Sequence, residues 1–349
     1  MRLLWALVQG KLVRNSKIDL LRFIGLSMII FSHVGSYGVL FQIRNFDVPL
    51  MVLVSGMSFG LSYKVNDKYL NYLWKRVKRL IFPVWIFLTI YFISLLMLDP
   101  KSLDLNLHKV ITSYLLISGI GYVWIIKVFV LVAMISPLIF KLHEKISSHK
   151  KYFILLFLVF IIYELLRYLS LPYIQKGAGK TMSYVTHYIV PYGVVFAVGL
   201  RIPLLKDVQI RYISIVSFLL FAVPAVGLYL FYGHFVPTQN YKYPPSIYYF
   251  SYSLFVSCTL WYYSKEIEGV FSKIKIEKVV TFMANNSIWI YLWHIPIVKY
   301  FNAHFLIKYI VVMLLATLLA FIQVYFVKKI ITNIASESSK KNIKILFTG

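Results

Sequence analysis

A polar stripe within one apolar segment is the part of this sequence best suited to chemistry. The segment KIDLLRFIGLSMIIFSHVGSYG (17–38) carries Asp19, Arg22, His33 and Tyr37. Arg22 and His33 are eleven residues apart, so on a helix they differ by about 20° around the axis and by roughly 16 Å in depth. Asp19 and Tyr37 fall on the same face. A histidine so placed can accept a proton from a hydroxyl group, which makes His33 a candidate general base.

The same stripe also has a purely structural interpretation. Asp19 and Arg22 would then be an ion pair at a helix end, and His33 a buried histidine bonded to a neighbouring helix. Ionisable side chains are expensive in a lipid environment and usually face the interior of a helix bundle. That expense favours a functional role for His33 over a structural one.

The composition indicates the kind of molecule that must hold these residues. Of the 349 residues, 60% are apolar and 14% charged, against about a quarter charged in soluble domains, and the mean hydropathy is +0.75. Apolar runs long enough to cross a bilayer recur along the chain. We therefore expect an all-α fold, a polytopic membrane helix bundle.

We predict ten membrane spans in one domain covering residues 1–349. Residues 1–17 would form a cytoplasmic or interfacial N-terminus, the polar tail 328–349 would be cytoplasmic and loosely ordered, and residues 108–118 are too short to cross. The spans are expected near 20–41, 46–63, 80–98, 119–140, 152–170, 182–200, 212–233, 247–264, 281–298 and 306–327.

The net charge of +25 is explained by the predicted topology. With both termini in the cytoplasm, 26 of the 37 Lys and Arg residues lie in inner segments and nine in outer ones. This asymmetry follows the positive-inside rule. We therefore expect membrane lipid around the protein, and no nucleic-acid partner.

A basic turn (residues 75–79) precedes the third predicted span. Arg76 and Arg79 share one helix face, and Lys75 adds charge beside them. Guanidinium groups suit phosphate recognition, so the turn is a candidate donor-binding site at the cytoplasmic surface. Taken alone, it is explained better as an anchor on anionic lipid headgroups.

Candidate acceptor and cavity residues lie elsewhere in the chain. The segment YKYPPSIYYFSYS (241–253) combines Pro244 and Pro245 with tyrosines that include Tyr243. It either stacks on a sugar or belongs to an aromatic belt at the membrane surface. Trp124 and Tyr37 would line the same cavity. His294 would line it too, or bond across helices.

Several chemistries find no support in the sequence. It has no P-loop, dinucleotide-binding glycine motif, HExxH or nucleophile elbow. The single cysteine, Cys258, offers neither a disulfide framework nor a cysteine-based metal site. We expect no metal and no bound cofactor.

In these features the chain resembles membrane-bound acyltransferase family 3, whose members acylate sugars, often in cell-surface polysaccharides. The most specific element is the pair Arg22 and His33, separated by ten residues within IDLLRFIGLSMIIFSH. The RxxR motif of the family matches Arg76 to Arg79, with Pro83 following.

Two further motifs carry the resemblance. The stretch VPLMVLVSGMSFG is similar to the "SG" end of the second span in that family, at Ser55 and Gly56. The stretch SIWIYLWHIPI is similar to the family's penultimate-span signature around His294. The resemblance covers nearly the whole chain.

The resemblance implies a cytoplasmic acyl-CoA donor, most simply acetyl-CoA, with its phosphates on Arg76 and Arg79. His33 would act as general base or carry the acyl group, Arg22 would orient the donor or steady negative charge, and Asp19 would be its partner. The acceptor would be a glycan or a lipid-linked saccharide, in the plasma or inner membrane of a bacterium. The family does not identify the sugar or the oligomeric state.

The alternative is a transporter or flippase that moves a polysaccharide precursor along the same stripe. Transporters more often show internal repeats and paired broken helices. The sequence shows no internal repeat, and the prolines at 191, 224 and 296 fall in or near the second half of the chain. A non-catalytic scaffold would leave the burial of Arg22 and His33 unexplained.

Overall fold

Fifteen α-helices make up the part of the chain that the structure, a computed structural model, describes: residues 15–63, 68–117 and 119–348. The expected N-terminal segment 1–17 lies outside these residues except for its last three. No strand occurs in the described ranges, and one isolated antiparallel bridge joins Lys242 and Pro245. The predicted all-α class is confirmed.

The first seven helices cover the first five predicted spans, with shifted ends. Helix α4, predicted to start at residue 80 after the basic turn, begins at Tyr69, so that residues 75–79 lie on the helix itself. The bounds are α1 (Ser16–His33), α2 (Gly38–Ile43), α3 (Asp47–Ser62), α4 (Tyr69–Leu98), α5 (Leu107–Tyr114), α6 (Trp124–Lys145) and α7 (His149–Ser170).

The remaining helices include the ninth predicted span, which is divided in two. Asn286 interrupts it, and its side-chain amide donates to the carbonyl of Phe282 at 2.8 Å. The bounds are α8 (Gly177–Arg201), α9 (Asp207–Tyr232), α10 (Ile247–Tyr262), α11 (Ser264–Lys273), α12 (Glu277–Asn285), α13 (Ser287–Tyr300), α14 (Phe305–Thr332) and α15 (Glu337–Thr348).

Seven helical segments among the described residues are long and apolar enough to cross a membrane. They are Gly38–Ser62, Tyr69–Leu98, Trp124–Lys145, His149–Ser170, Gly177–Leu204, Asp207–Tyr232 and Phe305–Thr332. Helices α10 and α13, with 16 and 14 residues, are shorter than the usual spanning length of about 20. The predicted count of ten and the cytoplasmic position of both termini stay predictions.

Helix α1 ends sooner than the sequence indicated. Its last helical residue is His33, and a turn follows in which Gly35 adopts φ +85°, a conformation that glycine reaches without strain. The predicted span 20–41 is therefore wrong at its C-terminal end. Tyr37 does not continue the helical face of His33; it precedes α2, and its side chain is 72% exposed.

Helix α1 nevertheless occupies the interior of the bundle. It packs against α3, α12 and α13 and also touches α10, α11 and α14. Asp19 and Ser27 on this helix are buried, and Ser27 shares a hydrogen bond of 2.6 Å with the hydroxyl of Tyr309. These two polar side chains of α1 are thus held by protein rather than by lipid.

Helices α3 and α8 approach closely because each presents a glycine to the other. A Cβ on Gly56 would lie 2.2 Å from the carbonyl oxygen of Phe196, and a Cβ on Gly199 would lie 2.1 Å from that of Leu53. Small residues allow this backbone-to-backbone approach between membrane helices. The contact fixes α3, whose Ser55 and Ser58 face the site described below.

The tail after α14 is ordered, which corrects the expectation of a loose segment. Helix α15 packs against α4 and α14. Near its end, the carbonyl of Leu346 accepts from Trp289 Nε1 at 3.0 Å and the carbonyl of Phe347 accepts from Gln323 Nε2 at 2.7 Å. These side chains satisfy carbonyls that a helix C-terminus leaves unpaired.

Candidate active site

Two histidines from distant parts of the chain form the centre of the site. His33 ends α1 and is partly buried, whereas His294 lies within α13 and is fully buried. His33 Nδ1 lies 2.9 Å from His294 Nε2, and the two rings stack at 22° with 5.0 Å between centroids. His294, predicted to line the cavity or bond across helices, bonds across helices.

The hydrogen bonds of this pair determine which nitrogen carries a proton. His294 Nδ1 contacts the carbonyl oxygen of Tyr291, and a carbonyl can only accept, so Nδ1 of His294 is the donor. In a neutral ring Nε2 of His294 is then an acceptor, and His33 must donate to it from Nδ1. The Nε2 of His33 is left unprotonated, with its lone pair free to take a proton.

Tyrosines hold the histidine pair from the side. The ring of Tyr122 meets that of His33 edge to face at 4.8 Å between centroids. The hydroxyl of Tyr291 donates to the carbonyl of Tyr122. The loop before α6 and the helix α13 are thereby joined next to the two imidazoles.

His33 opens into a small cavity of 160 Å³, which we call the outer cavity because it lies toward the end of the bundle predicted to face outward. Of the predicted acceptor residues, Trp124 and Tyr243 line it, with their rings edge to face at 5.4 Å. Tyr37 does not line it and packs on Phe305 instead.

The two prolines of the 241–253 segment also lie outside the lining of this cavity. The carbonyl of Pro245 accepts a hydrogen bond of 2.7 Å from the hydroxyl of Tyr163 on α7. The neighbouring residue Glu164 accepts from Ile247 N, at the start of α10, at 3.0 Å. Pro244 and Pro245 therefore belong to a fixed wall behind Tyr243, and their contact with an acceptor stays a prediction.

A buried charge cluster shares the cavity with His33, and the sequence did not single it out. It consists of Arg44, Asp47 and Lys242, each no more than 3% exposed. Arg44 Nη1 lies 3.0 Å from Asp47 Oδ2, and Lys242 Nζ lies 3.6 Å from Asp47 Oδ1. The i,i+3 spacing of Arg44 and Asp47 at the start of α3 was a usable signal. Nothing local in the sequence points to Lys242.

A second cavity, of 210 Å³, which we call the inner cavity, lies toward the end of the bundle predicted to face the cytoplasm and is lined by predicted donor residues. Arg22, Arg76 and Arg79 all line it, although two of them lie on α4 and one on α1. Arg22 donates to Ser58 Oγ at 2.8 Å and lies 3.4 Å from Asp19 Oδ1. Three guanidinium groups in one cavity suit a polyanionic ligand.

The other basic residue predicted to bind the donor is placed differently. Lys75 is exposed and does not line this inner cavity. The side chain of Arg76, by contrast, lies over the rings of Tyr72 and Phe59, at 5.1 and 5.7 Å. Such stacking orients a guanidinium group without consuming its hydrogen-bond donors.

The two cavities meet at a shared wall. Ile29, Ile125 and Tyr291 line both of them. We call these three side chains the partition. The partition is thus a constriction between the arginine-lined inner cavity and the outer cavity that contains His33.

A third cavity, larger than these two, lies apart from these residues. It measures 740 Å³ and runs between α7, α8, α9 and α10, lined mostly by apolar side chains. None of the predicted site residues lines it. Within the described ranges, no three His, Cys, Asp or Glu side chains come together as metal ligands.

Comparison with known proteins gives one match. The sequence model of a family described as an acyltransferase domain matches residues 15–328. That range includes both histidines, the arginines of the inner cavity and the buried charge cluster. No curated protein and no solved structure matches the chain.

Proposed function

Because this chain belongs to membrane acyltransferase family 3, we propose that it moves an acetyl group from cytoplasmic acetyl-CoA to a sugar hydroxyl of a cell-surface polysaccharide. The acceptor is either the polymer or its lipid-linked precursor. The enzyme would work in the plasma or inner membrane of a bacterium. The observation that carries the proposal is the free Nε2 of His33, directed by His294, in a cavity that adjoins an arginine-lined one.

The donor would bind in the inner cavity. Coenzyme A carries several phosphate charges, and Arg22, Arg76 and Arg79 line that cavity together. Each charge-assisted hydrogen bond contributes about 1.5–3 kcal/mol. The thioester would then extend past the partition toward His33.

His33 would act as the general base. The acceptor hydroxyl loses its proton to Nε2 of His33 while its oxygen attacks the thioester carbonyl. The acceptor enters from the outer side, where Trp124 and Tyr243 present aromatic faces suited to a sugar ring. Arg22, 3.4 Å from Asp19, orients the donor.

The experiment measures ester groups in the host's surface glycans by NMR. The strains compared lack the protein or carry the wild type, His33→Ala or His234→Ala at matched membrane levels. His234 is an exposed outer histidine whose described hydrogen bond is to the Tyr232 carbonyl, so its variant is the control. We expect the ester signal to be lost in the null strain and in His33→Ala and kept in His234→Ala. Unchanged esters with glycan precursors accumulating in null cells would instead indicate a transporter.

A further inference from the structure

The outer cavity holds one more positive charge than its own residues neutralise. Arg44 and Lys242 both pair with the single carboxylate of Asp47, and among the residues that the structure describes no other acidic side chain lines the cavity. All three groups are buried. A buried charge without compensation is expensive unless a ligand supplies the opposite charge.

The side chain of Arg44 has unused capacity to bind an anion. Its Nε is buried and has no hydrogen-bond partner among the described residues. The guanidinium lies 3.7 Å from the ring of Phe41, which also lines the cavity. A donor held this rigidly stays in place when negative charge develops beside it.

Lys242 is held in a similar way. Its ammonium group lies 5.5 to 5.8 Å from the ring centroids of Trp124, Tyr243 and Tyr249. Asp47 is 3.6 Å away, a long ion pair. The aromatic cage keeps the charge facing the cavity without neutralising it.

We propose that Arg44 and Lys242 form an oxyanion-binding subsite for the acyl transfer catalysed at His33. The inference rests on the proposed function. Two cations beside His33 oppose the gain of a proton by its imidazole, unless negative charge appears in the same cavity at the same time. The oxyanion supplies that charge.

The reaction balances without any further component. The acceptor oxygen bonds to the thioester carbon, its proton passes to His33 Nε2, and the carbonyl electron pair moves onto oxygen as the oxyanion. Collapse re-forms the carbonyl and breaks the carbon–sulfur bond. The departing thiolate then takes this proton from His33. The products are the sugar ester and free thiol, and the subsite is empty again.

The charge state of Lys242 gives the subsite a pH signature. Burial lowers the pKa of Lys242 to about 8, against the opposing effect of the Asp47 carboxylate. The ammonium form is present below that pH and is lost as the pH rises through it, so turnover should fall on the alkaline side. The titratable or charged groups around it are Arg44, Asp47, His33, Tyr243, Tyr249 and Tyr291.

The test uses full-length enzyme in liposomes, with acetyl-CoA and de-esterified surface polysaccharide from cells lacking the protein. For Lys242→Met we expect kcat to fall by about 10²- to 10³-fold, as for loss of an oxyanion donor, with both KM values within twofold. For Lys242→Arg we expect a kcat between those of Lys242→Met and the wild type. Because arginine stays protonated, the fall in activity near pH 8 should disappear. Lys101→Met, an exposed outer lysine, is the control.

Three outcomes would overturn the subsite. A raised KM for polysaccharide with kcat kept would mean that the cations hold an acidic group on the acceptor. Full activity of Lys242→Met, or an unchanged alkaline decline in Lys242→Arg, would mean that Arg44 and Lys242 have a structural role and do not bind the oxyanion. If Lys242→Met does not fold, the pH profile of Lys242→Arg decides. Failure of the proposed function is distinct, because the wild type itself would then transfer no acetyl group.

Discussion

His33 and His294 are hydrogen-bonded at 2.9 Å although they lie 261 positions apart in the chain. His294 is bonded in turn to the carbonyl of Tyr291 within its own helix. A backbone carbonyl therefore sets the tautomer of both rings. In this arrangement His294 is a positioning residue for His33.

Replacing His294 should reduce turnover according to what the new side chain accepts. Gln can still accept the proton of His33 Nδ1 through its amide oxygen, whereas Leu cannot. We expect His294→Leu to lower kcat by about 10²-fold or more, near the loss of a general base, and His294→Gln to retain clearly more. The measurement is kcat at equal amounts of folded enzyme. Equal activities of the two variants would contradict the tautomer argument.

Replacing the arginines of the inner cavity should weaken donor binding. We expect Arg76→Ala and Arg79→Ala each to raise the KM for acetyl-CoA by about tenfold or more, since a charge-assisted bond contributes about 1.5–3 kcal/mol and a tenfold change is about 1.4 kcal/mol. With S-acetylpantetheine, which lacks the phosphates, the variants should match the wild type. Lys68→Ala, an exposed lysine at the start of α4, is the control. An equal penalty with both donors would mean that these arginines do not bind phosphate.

Two aromatic residues that the sequence placed on the acceptor path should contribute differently to acceptor binding. Trp124 lines the outer cavity, whereas Tyr37 is 72% exposed and outside its lining. We expect Trp124→Ala to raise the KM for polysaccharide severalfold and Tyr37→Ala to change it less. The KM for acetyl-CoA should be constant in both. A larger rise in the KM for polysaccharide in Tyr37→Ala than in Trp124→Ala would mean that the acceptor approaches along Tyr37, as the sequence predicted.

The crossing of α3 and α8 should not tolerate a methyl group. In Gly56→Ala the new Cβ would meet the Phe196 carbonyl oxygen at 2.2 Å, so the helices must separate. We expect the free energy of unfolding to fall by about 1–3 kcal/mol, the usual range for overpacking. Thermal unfolding in detergent measures the loss. Gly227→Ala is the control, because a Cβ there meets nothing within 4 Å; equal melting temperatures would refute the close contact.

The sequence predicted the helices better than their ends. Apolar runs and basic flanks identify most helices, because length and charge act locally. The end of α1 at His33 and the break at Asn286 depend on a glycine turn and a side-chain cap, which hydropathy does not report. The tail was misjudged because Trp289 and Gln323, far back in the chain, bind its last carbonyls.

The site was predictable where one helix carries it and not where helices meet. The spacing of Arg22 and His33 follows from helical periodicity alone. The pairing of His33 with His294 and the approach of Lys242 to Asp47 follow from tertiary packing between residues far apart in sequence. Periodicity assigns a face to each helix but does not name its partner.

The partition of Ile29, Ile125 and Tyr291 has a consequence for the cell as well as for the enzyme. Moving one unit charge across a membrane potential of 100 mV releases or requires about 2.3 kcal/mol. A continuous water-filled path between the two cavities would therefore let protons leak across the membrane and dissipate the electrochemical gradient. In the proposed mechanism the same three side chains give way to an acyl group, and they must still close against hydrated protons. The constriction must be narrow enough to prevent a proton leak and wide enough, when it opens, to admit the acyl group.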